Sequence, residues 1–146
     1  MSATAPATSE NAAEQPANWL LRAAIVLLVV YWLALITATH LPKVPEPLEF
    51  RGSDKVEHFL AYATLAALAG WVWSLLRPFG WRQALVLLGI VAMHGILDEV
   101  TQPIVGRNAD VLDWCADMVG ATLGLSGLLI VQAAIRRWRS GGKRAL

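Results

Sequence analysis

Residues 20–38 read LLRAAIVLLVVYWLALITA. After Arg22 this stretch has almost no polar atoms on any side, whereas a helix in a soluble bundle needs a polar face turned to water. Its length matches the roughly 20 apolar residues that cross a bilayer as a helix. Working outward, the full apolar block covers 19–39, and similar blocks recur at 55–76, 81–100 and 111–135. The expected fold is therefore an all-α integral membrane protein, a four-transmembrane-helix bundle with short loops. Composition agrees: the chain is 56% hydrophobic and only 16% charged, against about 25% charged in soluble domains.

The 146 residues make one domain by length. Residues 1–18 are rich in Ala, Thr, Ser, Pro, Glu and Gln without Lys or Arg, and are read as a disordered tail. The transmembrane domain spans 19–135, and 136–146 form a basic tail suited to anionic lipid head groups. Ile36-Thr37-Ala38 resembles a signal cleavage site only weakly. The tail before it is acidic, and the apolar run exceeds the about 7–15 residues of a signal core, so the first span is expected to be retained. Cys115, the single cysteine, excludes an internal disulfide and reads as a small buried apolar residue beside Trp114.

Four spans put both termini on one side. Arg22, Arg77, Arg82, Arg136, Arg137, Arg139, Lys143 and Arg144 lie there, against Lys43, Arg51, Lys55 and Arg107 on the other. The basic excess marks the cytoplasm, and Trp19, Trp81 and Trp138 suit the same interface. The opposite, outer end then collects the ionisable residues of three spans.

Between apolar flanks, residues 94–117 carry His94, Asp98, Glu99, Arg107, Asp110, Asp113 and Asp117. A charge at the bilayer centre costs at least about 2.5–3.5 kcal/mol, so such groups face an interior or a wet cavity and mark function. In the second span Asp54, His58 and Tyr62 are four apart and share a face. Asp54 or Ser53 suits an N-cap, with Glu57 completing a capping box. In the third, His94, Asp98 and Gln102 form a like stripe beside Glu99. Pro103 ends that helix and Gly106 permits a tight turn, from which Arg107 is expected to fold back and grip Glu99 bidentately. In the fourth, Asp110, Asp113 and Asp117 share a face that continues into Gly120 and Gly124, a pair that lets helices approach closely. Capping accounts for Asp110, less well for Asp113, and not for Asp117, which lies too deep.

These residues resemble the VanZ-like family of small bacterial membrane proteins over roughly 20–135. The likeness rests on Asp54-Lys55-x-x-His58-Phe59-x-x-Tyr62, Asp98-Glu99-x-x-Gln102, Gly106-Arg107-x-x-Asp110-x-x-Asp113 and Gly120-x-x-x-Gly124. One departure is Asp117, where the family pattern is expected to show Asn. The resemblance implies an envelope protein of the bacterial cytoplasmic (inner) membrane, in a family named for a member linked to resistance against teicoplanin.

The leading functional reading is an outward polar pocket for an anionic or amphiphilic envelope ligand, such as a lipid head group, cell-wall precursor or glycopeptide antibiotic. Lys55, His58, Asp98, Glu99, Gln102, Arg107, Asp110, Asp113 and Asp117 would line it. A rival is an intramembrane enzyme on a lipid-linked substrate, with Glu99 or Asp113 as acid or base, His58 as proton shuttle and Arg107 as anion stabiliser. A proton-coupled transporter subunit relaying through His94 and Asp98, and a structural salt-bridge cluster, are further readings. No cofactor is assigned and no metal site is demanded by spacing, although His58, Glu99, Asp113 and Asp117 are ligand types that a divalent ion takes. The expected partners are the bilayer, a lipid-linked or cell-wall ligand and, through the lipid-facing apolar surface and the glycine face, a second copy of the chain. Nothing points to nucleic acid.

Overall fold

The computed structural model describes residues 9–41 and 52–141, with side chains over 19–41 and 52–140. Four helices follow in order: α1 Ser9–His40, α2 Ser53–Leu76, α3 Trp81–Thr101 and α4 Val111–Gly141, with a 3₁₀ turn Gln102–Val105 after α3. There is no strand among the described residues. Each helix, α3 together with its 3₁₀ turn, holds a segment long and apolar enough to cross a membrane: Trp19–His40, Ser53–Leu76, Trp81–Val105 and Val111–Ser140. The chain is thus an all-α, multi-pass membrane protein. The backbone of α1 begins inside the segment read as a tail, and 1–8 lie outside the described residues. At the other end α4 carries Arg136, Arg137 and Arg139 as helix. Lys43, Arg51, Lys143 and Arg144 lie outside the described residues.

Burial follows the logic of a lipid solvent. Val26, Val30, Leu85, Ile90, Leu123 and Ile130 face outward, while His58, Asp98, Glu99, Gln102, Asp113 and Asp117 are buried. An exposed Leu costs nothing against acyl chains, whereas a polar group needs protein partners there. Cys115 follows the same rule: it is exposed on α4, not buried as expected, because a weakly polar thiol tolerates lipid as an apolar side chain does.

The axis of the bundle is the pair α2–α4. A Cβ on Gly120 would run into the Phe59 carbonyl, and one on Gly124 into that of Ala63. The two helices therefore touch backbone to backbone and run parallel, and only glycine fits. This internal use of the Gly120–Gly124 face leaves that face unable to receive a second copy. Around the crossing, Tyr62, Leu65, Ala66, Leu87, Val91, Ala121 and Leu125 form the apolar core with Leu35 of α1.

Helix ends set the depth of the polar groups. Gly52, at φ 99°, takes the N-cap position and supplies the left-handed entry to α2, with no side-chain cap hydrogen bond there among the described residues. The expected Asp54–Glu57 capping box is therefore absent, since glycine alone takes up the turn. Pro103 falls in the 3₁₀ turn and Gly106, at φ 77°, reverses the chain, as expected from the sequence. Asp110 caps α4, its Oδ1 accepting the Leu112 amide at 2.9 Å. Consequently the N-termini of α2 and α4 and the C-termini of α1 and α3 meet at one end.

Candidate functional site

At that end the carboxylates of residues 98–117 divide into four small systems. His58 Nδ1 lies 3.0 Å from Asp117 Oδ1, joining α2 to α4 at 5% and 0% side-chain exposure. Both sit on the helix faces that the Gly120 contact presses together, which explains their depth. Closer to the end, Lys55 Nζ donates to Asp110 Oδ2 at 2.8 Å and Asp113 Oδ1 at 2.9 Å. One ammonium thereby clamps the first turn of α4.

The third system belongs to Asp98. Its Oδ1 accepts from Thr39 Oγ1 at 2.7 Å, its Oδ2 from Gln102 Nε2 at 3.4 Å, and His40 Nδ1 stands 3.6 Å away. Thr39 and His40 come from α1, which the sequence reading left out of the site. A signal existed, because both close the first span at the depth where Asp98 closes the third. The fourth is Glu99, whose Oε2 accepts the Asp110 amide at 2.8 Å. Among the described residues its Oε1 has no hydrogen-bond partner, and neither has Asp117 Oδ2, although both atoms are buried.

Arg107 does not grip Glu99. Its guanidinium donates to the Ala38 carbonyl at 3.2 Å and lies 3.8 Å from Asp54 Oδ1. The 3₁₀ turn and Gly106 direct residue 107 across α3 toward α1 and α2, away from the α3–α4 side where Glu99 meets Asp110. This corrects the bidentate pair expected from loop length alone. Asp54 serves as the counter-charge of Arg107 instead of a cap.

His94 lies one layer deeper and joins none of the carboxylates by a hydrogen bond. The Trp32 indole donates to its Nε2 at 2.6 Å, and its Nδ1 is 3.0 Å from the Tyr62 hydroxyl. An indole N–H only donates, so Nε2 holds a lone pair, the ring is neutral, and Nδ1–H donates to Tyr62. A direct His94–Asp98 relay is thus replaced by a Trp32–His94–Tyr62 chain.

Two cavities border the site. One, about 320 Å³, opens between α3 and α4 and is lined by Ile96, Val100, Val111 and Trp114 with Glu99 and Asp110. The other, about 100 Å³, lies on the α1–α2 side against Asp54, Glu57, His58 and Arg107. Glu99 is therefore reached from one side, His58 from the other, and Asp117 stands buried between them.

Asp110 sits just before the α4 span. The Lys55 ammonium, with the Leu112 amide, holds its carboxyl below the usual carboxylate range. A depressed folded value means that this grip is complete above the unfolded pKa of about 3.9 and is lost as pH falls through the lower folded value. Lys55→Gln is expected to move the Asp110 carboxyl back up toward about 3.9, measured by carbon-13 NMR titration. An unmoved titration would mean that the ammonium contributes nothing.

No family model, curated protein or solved structure matches this chain.

Proposed function

We propose that the chain is a VanZ-like envelope protein of the bacterial inner membrane, with both termini cytoplasmic, that binds an amphiphile at the outer end of its bundle. The observation that carries this reading is the α3–α4 cavity. Ile96, Val100, Val111 and Trp114 offer an apolar wall, and Glu99 and Asp110 stand on the same cavity. An acyl or isoprenyl chain suits the wall, and a polar head suits the carboxylates. The distribution of basic residues supports the orientation.

The charge pattern selects among head groups. Lys55 is already held between Asp110 and Asp113, and Arg107 already faces Asp54 and the Ala38 carbonyl. The cations that an anionic head would need are thus engaged. The carboxylates on the cavity are engaged as well, but a carboxylate offers about four lone-pair sites and can take a further donor. That favours a head bearing hydroxyl or amine donors, as sugars and amino sugars of cell-wall precursors do.

A second reading, acid–base catalysis on a lipid-linked substrate, draws support from the His58–Asp117 pair. A carboxylate fixing an imidazole is a common way to prepare a general base. The two readings part on turnover.

Trp114 supplies the probe. In nanodiscs, a spin-labelled isoprenyl or acyl amphiphile bearing an amino-sugar head is expected to quench its fluorescence saturably, measured as the difference from Trp114→Phe. Ile96→Trp, which fills the groove, is expected to weaken binding by at least about tenfold, or about 1.4 kcal/mol. Quenching that rises without saturation, or that ignores Ile96→Trp, would remove the binding reading. Conversion of a labelled lipid-linked substrate, lost with Glu99→Gln or His58→Gln, would favour the enzyme.

A further inference from the structure

The inner carboxylates pose a problem that the amphiphile reading leaves unsolved. Glu99 and Asp117 are buried to 7% and 0% exposure, and each keeps one oxygen without a hydrogen-bond partner among the described residues. A buried carboxylate oxygen without a donor is costly, and two beside one another compound the cost. No Lys or Arg among the described residues forms an ion pair with either; the partner of Asp117 is His58.

The spacing suggests what supplies the missing charge. One ligand atom from each of His58, Glu99 and Asp117 lies within 4.8 Å of the others. His58 Nδ1 and Asp117 Oδ1 are 3.0 Å apart, about the separation of two neighbouring ligands bound at roughly 2.0–2.2 Å to one ion. We propose that His58, Glu99 and Asp117 form a site for one divalent transition-metal ion of the Zn²⁺, Mn²⁺ or Fe²⁺ class. Two carboxylates and a neutral imidazole around a divalent ion sum to zero charge, the state that a buried site in a bilayer favours most. The imidazole argues against Ca²⁺ and Mg²⁺, which take oxygen ligands. Three protein ligands leave further positions open, as at metal sites that also bind a small molecule.

A neighbouring group, Asp54, His58 and Asp113, is similarly close, yet it differs in one respect. Lys55 occupies Asp113 Oδ1 and Arg107 faces Asp54, so two permanent cations already compensate it and would repel an ion. The inner trio carries both orphan oxygens and neither cation. This assignment shares Glu99 with the amphiphile reading, but it uses neither the apolar wall nor the orientation in the membrane.

The full chain, purified in detergent and stripped with chelator, is dialysed against Zn²⁺, Mn²⁺ or Co²⁺, and bound metal is counted by mass spectrometry. About one ion per chain is expected. His58→Gln, Glu99→Gln and Asp117→Asn are each expected to lower affinity by at least about 100-fold, while Cys115→Ser keeps it. X-ray absorption on the unmutated Zn²⁺-loaded protein, which avoids any folding defect of the variants, is expected to give one imidazole and otherwise oxygen ligands. A chain that holds less than about a tenth of an equivalent, a coordination shell containing sulphur or lacking imidazole, or undiminished binding in Asp117→Asn overturns the site. Metal failure with saturable amphiphile quenching intact would leave the proposed function standing, and the reverse pattern would leave the metal site standing.

Discussion

Gly120→Ala and Gly124→Ala are expected to give the largest loss of stability of any single-methyl addition in this chain. In each case the new Cβ meets a backbone carbonyl of α2, that of Phe59 or Ala63. A carbonyl in a helix cannot rotate away as a side-chain tip can, so α2 and α4 must separate. Ordinary overpacking costs about 1–3 kcal/mol, and here the displacement also pulls at the His58–Asp117 pair one turn away. The loss is therefore expected to reach or exceed the top of that range, with the two alanines together preventing the fold. Gly89→Ala, whose Cβ meets nothing within 4 Å, is the internal control. It should change stability by no more than about 1 kcal/mol, the scale of helix propensity. Reversible unfolding in mixed detergent micelles measures all three. Equal stabilities for Gly120→Ala and Gly89→Ala would show that the close α2–α4 crossing does not exist.

The second large effect concerns the buried pair itself. In chelator-treated protein, His58→Leu is expected to destabilise by about 3–5 kcal/mol, because Asp117 is left as an uncompensated charge in a dry interior. Adding Asp117→Asn should recover more than half of that loss, since the charge that caused it is gone. Such rescue is the signature of desolvation, and a mere loss of packing volume at His58 would not produce it. Additive losses in the double variant would count against an ionised Asp117 and in favour of a protonated acid. The cycle also discriminates roles: a cluster that only staples helices should regain its function with its stability, whereas a functional site should regain stability alone.

How much of the site is legible in the amino-acid sequence depends on whether a residue's partner is set by local spacing. Asp110 as a cap, Pro103 as a stop and Gly106 as a reversal all follow from contacts within a few residues. The face shared by Asp113, Asp117, Gly120 and Gly124 follows from helical periodicity alone. By contrast the partner of Arg107 depends on the direction in which a 3₁₀ turn leaves α3, and loop length carries no information about that direction. Glu99 was expected to receive a guanidinium and receives a backbone amide. The contribution of Thr39 and His40 is not marked by charge density, because α1 carries little charge.

From the amino-acid sequence by itself came the class of fold, because apolar runs of bilayer length admit one solution: in lipid, a backbone must satisfy its own hydrogen bonds within a helix. The same rule brought the ionisable residues to a common end, since helix length sets depth. Only the tertiary arrangement decided who neutralises whom. Charges separated by 55 to 59 residues, as in Lys55–Asp110 and His58–Asp117, pair through the close parallel crossing of α2 and α4. Helix rotation and crossing geometry, which no local pattern encodes, determined that Lys55 would serve the outer carboxylates and leave the inner two with unsatisfied oxygens.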